Sequence, residues 1–284
     1  MRTLARASGT EESRLGEPQP RRLIITIYGL YGRDEHNWLS VAALVRLMGD
    51  LGVDGQSVRS SVSRLKRRDL LRSLHRAGMA GYALSPASLE VLREGDVRIF
   101  GRRRATLSDG WALVVFSVPE TERAKRHELR TRLAHLGFGT VAPGVWLAPG
   151  TMARDVQDAL VRGQLAAYVD VFRADHLGYA DLADRVRQWW DLDGLSVKYA
   201  QFTDRYRPLS QRIARHGLPA DRQAFREYVS MLIAWQRLPY LDPGLPLELL
   251  PAGWGGVVAG NLFAEMNEQL NEAAMRHAIS LIHP

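Results

Sequence analysis

The chain has 284 residues, 46% of them apolar, with 38 lysines and arginines against 31 aspartates and glutamates, a net charge of +7. At about 150 residues per domain this length implies two domains or more, and the apolar content suffices for packed cores, which excludes a disordered chain. Cysteine is absent, which removes disulfides, thiolate metal sites and cysteine nucleophiles together and fits a reducing compartment, while the positive balance favours a polyanionic partner.

Residues 1–20 carry Arg2, Arg6 and Arg14 but no apolar run, so they read as a disordered tail, not a signal peptide. No stretch approaches the roughly 18 apolar residues of a membrane-spanning helix, and the expected location is the cytoplasm. Leu23, Ile24, Ile27, Leu30 and Tyr31 recur at helical spacing and give a first helix its buried stripe. Trp38-Leu39-Ser40 reads as a short strand, with Ser40 placed to cap a second helix. Val41, Leu44, Val45, Met48 and Leu51 line that helix, and Gly52 ends it.

The third helix, from Asp54 to Arg68, organises the rest of the chain. Val58, Val62 and Leu65 fall on one side, and Asp54 stands where it can accept hydrogen bonds from the unpartnered first-turn amides. The opposite side presents Gln56, Arg59, Ser60, Ser63, Arg64 and Arg67, with no carboxylate between Gln56 and Arg68. Small serines let a backbone sit deep in a DNA major groove about 12 Å wide, where arginine and glutamine reach guanine and adenine edges with paired hydrogen bonds. The alternative is a solvated basic face without a partner. Leu70–His75, a turn over residues 76–80 and Gly81–Ser85 follow as a hairpin with Arg76 near its tip. Helix, strand, helix, helix and hairpin in this order make a winged helix-turn-helix over residues 21–105, with Gln56, Arg59, Ser60, Ser63, Arg64, Arg67 and Arg76 as its candidate contacts to double-stranded operator DNA.

Pro86 opens a helix striped by Leu89, Leu92, Ile99 and Phe100, which ends in the basic run Gly101-Arg102-Arg103-Arg104, either a phosphate contact or a solvated linker. Residues 106–178 alternate strand and helix. Trp111–Val118 is a strand apolar on both faces; Thr121 caps a helix through Leu129 and Leu133 that stops at Gly137. Thr140-Val141 and Val145–Leu147 give another strand or a hairpin, Thr151 opens another helix, and Tyr168–Phe172 returns as a strand. This β-α-β-β-α-β order predicts a ferredoxin-like module. From about residue 179 the chain is helical, with stripes at Leu182, Val186, Trp189 and Trp190, at Phe225, Val229, Leu232 and Ile233, and at Val258, Leu262, Met266 and Leu270. The fold class is therefore α+β and multidomain, with a helical domain over 179–284.

Three motifs carry a resemblance. Arg59-Ser60-Ser61-Val62-Ser63-Arg64-Leu65, Gly137-Phe138-Gly139 with Pro143-Gly144-Val145-Trp146, and Leu238-Pro239-Tyr240-Leu241-Asp242-Pro243 through Leu247-Glu248-Leu249-Leu250-Pro251 resemble the PaaX family, repressors of phenylacetic acid degradation. The resemblance runs from about Arg21 to Leu281. It implies a winged helix, a middle module similar to the CRISPR-associated ferredoxin-like endonuclease fold, and a homodimer that leaves DNA on binding an aromatic acyl-CoA such as phenylacetyl-CoA. Where such proteins often carry a His-Glu-Tyr-Arg run, this chain reads Ile233-Ala234-Trp235-Gln236-Arg237, so its effector can differ. Trp235, Arg237 and Tyr240 are the candidate effector contacts under this resemblance. Trp189, Trp190, Trp235, Trp254 and Tyr240 could line an acyl pocket but better suit a helical core, and Arg205, Arg207, Arg212 and Arg215 could hold coenzyme A phosphates but better suit a solvated helix face.

Enzyme chemistry finds few residues to work with. The sequence has no His-x-His pair, no His-Glu-x-x-His, no Gly-x-Ser-x-Gly elbow and no phosphate-binding loop, and no cofactor is expected. Gly137-Phe138-Gly139 serves better as a helix stop and tight turn than as a dinucleotide fingerprint. A nuclease-like middle module needs an acidic metal ligand at the end of its first strand, which here reads Phe116-Ser117-Val118-Pro119-Glu120. Beside the ligand-released repressor, two alternatives stay open at this point, a metal-dependent nuclease and a constitutive DNA-binding protein without an effector.

Overall fold

The computed structural model describes residues 19–101, 103–178 and 181–284. The tail expected over residues 1–20 lies outside the described residues up to 18; Pro20 already opens a helix, as its fixed φ and missing N–H allow at a first helical position.

Among the described residues, 19–100, 203–235 and 260–284 form one compact unit, and those within 101–202 and 236–259 the other. In the first, α1 (Pro20–Ile27) runs on into a π turn over Tyr28–Gly32, then come β1 (Trp38–Ser40), α2 (Val41–Asp50) and α3 (Gly55–Arg67), the hairpin β2 (Leu71–Arg76) and β3 (Met79–Leu84), and α4 (Pro86–Phe100). The strands form an antiparallel sheet in the order β1-β3-β2. Leu23, Ile24, Ile27, Tyr28 and Tyr31 of the first helix are buried with Leu44, Leu47 and Met48 of α2 and with Val58, Val62 and Leu65 of α3. The α2 stripe is shifted from the expected one. Ala43 and Leu47 are buried where Val41, Val45 and Leu51 are half-buried, so the buried side runs through Ala43, Leu44, Leu47 and Met48 at the mixed one-three-four spacing of a helix face.

Two later elements complete this unit, α9 (Asp221–Trp235) and most of α11 (Gly255–Ile282), together with residues 203–216 of α8 (Leu192–His216). Phe225 of α9 packs on Tyr31 at 5.8 Å between ring centroids, and Arg22 donates to the Ile233 carbonyl at 2.7 Å. Asp50 stands at the C-terminal end of α2, where unpaired backbone carbonyls make a negative charge unfavourable, and it is matched by two donors from these helices. Arg222 meets it at 2.7 Å and His277 Nε2 at 2.5 Å. Burial raises the Asp50 carboxyl pKa, but the hydrogen bonds from His277 and Arg222 outweigh it and hold the pKa below its ordinary value. The buried side of α11 runs through Ala259, Phe263, Met266, Leu270, Ala273, Ala274 and Ala278, so Val258 of the expected stripe faces outward. A strict four-residue step drifts around a 3.6-residue helix, and the mixed three-and-four step does not.

In the second unit, β4 (Trp111–Phe116), α5 (Arg123–His135), β5 (Gly139–Ala142), β6 (Val145–Pro149), α6 (Ala153–Arg162) and β7 (Val169–Ala174) succeed one another as β-α-β-β-α-β. The sheet is antiparallel throughout, in the order β5-β6-β4-β7. Ala112, Val114, Trp146, Ala148, Leu129, Leu133, Val156 and Leu160 make its core. The expected Thr121 cap is not made: Glu120–Glu122 forms a 3₁₀ turn first, and α5 starts at Arg123 without a side-chain cap. The chain continues through α7 (Leu182–Trp189), the first part of α8 and the short α10 (Leu238–Leu241). Trp190 stacks on Trp111 at 6.3 Å and donates to the Gly137 carbonyl at 2.9 Å. Asp242 is 4% exposed and accepts from Arg104 at 2.9 Å, Tyr199 Oη at 2.8 Å and the Gly244 amide at 2.6 Å. Of the basic run, Arg104 is thus committed to this cluster and Arg103 to Asp109 at 2.9 Å, while Arg102 lies outside the described residues. Among the described residues no helix is long and apolar enough to cross a membrane.

Candidate nucleic-acid interface

Asp54 begins α3. One carboxylate oxygen accepts from the amides of Gln56 and Ser57, both at 2.9 Å, and the other from the Ser57 hydroxyl at 2.6 Å. The Ser57 hydroxyl above all, then the backbone amides, hold this carboxyl below the usual carboxylate range. A tight link, with Gly52 at φ +82°, delivers α3 directly from α2. Val58, Val62 and Leu65 are buried as their spacing predicts. Ser61, which the sequence pattern left unassigned, is fully buried on the same side, its small size letting α3 approach its neighbours closely.

The outward side carries Gln56, Arg59, Ser60, Ser63, Arg64 and Arg67, all exposed. Arg64 reaches back to Ser60 Oγ at 3.4 Å and Ser61 Oγ at 3.2 Å, which lays its guanidinium along the helix. The side chains of Arg59, Arg67 and Arg68 form no hydrogen bond or ion pair with any described residue. Neither carboxylate of the region competes for them. Asp54 is spent on the cap, and Asp69 pairs with Arg72 at 3.2 Å.

The hairpin is tighter than its sequence suggests. Instead of a five-residue turn, Arg76 pairs with Met79 across a two-residue turn in which Ala77 (φ +47°) and Gly78 (φ +75°) are both left-handed. That is the turn whose twist matches paired strands, and it usually selects asparagine and glycine. Arg76 therefore stands at the last pair before the tip, its side chain exposed and without a hydrogen bond or ion pair among the described residues. Leu74 (43% exposed) and Met79 (52%) stand with it, two apolar side chains that the sequence pattern did not single out. The hairpin is also held by the first strand and by α3. These holds fall midway along the strands: Trp38 Nε1 donates to the Leu74 carbonyl at 3.0 Å, and Lys66 lies 5.9 Å over the Tyr82 ring. Gly81 is obligatory, since a Cβ there would sit 2.4 Å from the Leu39 carbonyl oxygen.

The three candidate effector residues fare differently. Trp235 is a core residue, stacked on Phe263 at 4.6 Å and donating to the Ile99 carbonyl at 3.1 Å. Arg237 is exposed where α10 begins, and Tyr240 is 38% exposed on it. Trp254 packs edge-on against Tyr199 at 5.9 Å. Among the described residues no three of His, Asp and Glu come together as metal ligands, and Glu120 pairs with Arg126 at 3.0 Å.

Against known proteins, residues 19–88 match a family described as PaaX-like protein, residues 104–186 the PaaX protein central Cas2-like domain, and residues 190–280 the PaaX-like protein C-terminal domain. The transcriptional repressor PaaX of Escherichia coli K12 is 28% identical over 260 residues, covering 89% of this chain and 81% of that protein. An uncharacterised protein from Mycobacterium tuberculosis has a similar fold, with a TM-score of 0.61 at 24% identity over 90% of this chain and 97% of the other.

Proposed function

Because the chain belongs to the PaaX family, we propose that it is a transcriptional repressor whose α3 reads operator DNA and whose hold on that DNA is released by an aromatic acyl-CoA. It is a regulator, not an enzyme. The observation that carries the reading is the outward side of α3, where Gln56, Arg59, Ser60, Ser63, Arg64 and Arg67 stand without a neighbouring carboxylate free to neutralise them. Small hydroxyls among unpaired guanidiniums suit close approach to base edges, and Arg76 at the hairpin tip suits a phosphate.

The helix, strand, helix, helix and hairpin order of Pro20–Leu84 supports a winged helix-turn-helix, assigned to residues 21–105. The strand order β5-β6-β4-β7 within a β-α-β-β-α-β succession supports a ferredoxin-like module over 106–178, followed by a helical domain over 179–284. One reader contacts too few bases to select a site in a genome, so the protein acts in the cytoplasm as a homodimer on a palindrome, with half-sites about 34 Å apart. A 100-fold release of DNA by effector needs about 2.7 kcal/mol of coupling, within reach of ordinary allostery.

The test is an operator titration with phenylacetyl-CoA, other aryl-CoA thioesters and the free acids. Specific operator binding weakened at least tenfold by one aryl-CoA is the expected result. Operator affinity that changes less than threefold with every one of them defeats the effector reading, and absence of any specific operator defeats the repressor reading with it.

A further inference from the structure

The second unit contains an open cleft of about 500 Å³ that DNA reading does not use. Its floor is the end of the sheet, with Phe116 from β4, Thr140 and Ala142 from β5 and Trp146 from β6; α5 overhangs it with Arg126 and Arg130. The β5–β6 turn fixes its shape. Gly144 (φ +81°) takes a conformation that glycine tolerates, and a Cβ there would lie 2.9 Å from the Phe116 carbonyl oxygen. The Phe116 amide donates to the Gly144 carbonyl at 2.9 Å, so the Pro143-Gly144 turn is pinned to the end of β4. The motif Pro143-Gly144-Val145-Trp146 thereby acquires a physical role, which is to hold one wall of a cleft.

The two arginines differ in their commitments. Arg126 donates to the Val118 carbonyl at 2.8 Å and pairs with Glu120 at 3.0 Å, so it is part of the wall. Arg130, one helical turn on, is exposed, and its side chain forms no hydrogen bond or ion pair with any described residue. Trp146 is 6% exposed and offers the cleft an aromatic surface beside Phe116. An apolar, aromatic floor with an unpaired guanidinium at the rim fits an amphipathic anion, with a ring or acyl group inside and an anionic group outside. The volume lies within the range of about 300–1,000 Å³ of small-molecule sites and takes an arylacyl group with part of its thioester arm.

We propose that this cleft is the effector site, with the aromatic acyl group lying against Phe116 and Trp146 and a phosphate of the coenzyme A portion on Arg130. This rests on the acyl-CoA reading above and moves the site from the Trp235–Tyr240 segment to the middle module. The experiment is calorimetric titration of phenylacetyl-CoA into the full chain and into Arg130→Ala, Arg130→Glu and Ala142→Phe, with circular dichroism reporting the folding of each variant. The expected result is a Kd raised at least fivefold by Arg130→Ala, further by Arg130→Glu, and at least tenfold by Ala142→Phe, which fills the floor. A second measurement needs no variant: 4-azidophenylacetyl-CoA photolysed on the wild-type chain should label peptides spanning residues 116–118 or 140–146. Binding that Arg130→Glu leaves unchanged, or label confined to residues 235–246, overturns the cleft while sparing the effector class. A wild-type chain that binds no aryl-CoA overturns both.

Discussion

Asp242→Ala should be among the most damaging single substitutions in the second unit. The carboxylate is 4% exposed and accepts from the Arg104 guanidinium, the Tyr199 hydroxyl and the Gly244 amide. Truncation removes all three acceptor contacts at once and leaves a largely buried guanidinium without its carboxylate. Removing one partner of a buried ion pair costs about 3–5 kcal/mol. Arg104 keeps a quarter of its side-chain surface in water and a 3.0 Å bond to the Leu245 carbonyl, so the low end applies to the pair. Orphaning the Tyr199 hydroxyl adds roughly 1 kcal/mol. A total near 4 kcal/mol would move a urea midpoint by more than 1 M at a slope of about 3 kcal/mol/M. The assay is urea unfolding of the full chain followed by tryptophan fluorescence, since Trp254 packs on Tyr199 itself. Adding Arg104→Met should recover part of the loss, because the guanidinium is then no longer buried unpaired. A midpoint shift below 0.3 M for Asp242→Ala, or strict additivity in the Asp242/Arg104 cycle, would refute the reasoning.

Replacing Arg64 or Arg67 by alanine should cost about 1–3 kcal/mol of operator affinity and relax base preference at one position, measured by footprinting on operator variants. Arg76→Ala should instead weaken all sequences alike and lower the salt slope of binding by about one. Asp54→Ala should fray the start of α3. Because its carboxyl is held below its unfolded value, the stabilisation it supplies is present above the unfolded pKa of about 3.9 and is lost as pH falls through the folded pKa. Unfolding curves of variant and wild type should therefore converge in acid and separate at neutral pH. Ala77→Asn should strengthen the hairpin by about 1 kcal/mol by suiting the left-handed turn, seen as slower amide exchange in β2 and β3. Unaltered exchange there would count against the strain assigned to Ala77. Sedimentation should give a dimer on operator DNA, and a monomer both free and bound would remove the palindrome.

Local chemistry makes much of this protein legible in its sequence. The Ser40 cap, the strand Trp38–Ser40, the Asp54 cap with α3 behind it, and the Gly52 and Gly137 stops depend only on residues a few positions apart, and each stands where its sequence placed it. So does the β-α-β-β-α-β succession, since strand and helix periods are local signals. Other features depend on what a residue meets across the chain, and no local pattern encodes that. Val58 and Ser61 are both buried on α3, although only one is apolar, because closeness of packing selected the serine. Trp235 and Tyr240 look alike as candidate ligand contacts in sequence, yet one is stacked in a core and the other is well exposed. The family motifs around Gly144 and Asp242 are short strings of letters until tertiary contacts assign them work. Gly144 meets a carbonyl 28 residues earlier, at Phe116, and Asp242 receives an arginine from 138 residues away. Tertiary structure alone also decided that helices near the end of the chain brace α2, through Arg222 and His277 on Asp50. Helical periodicity says which side of a helix is buried; it carries no record of the partner that buries it.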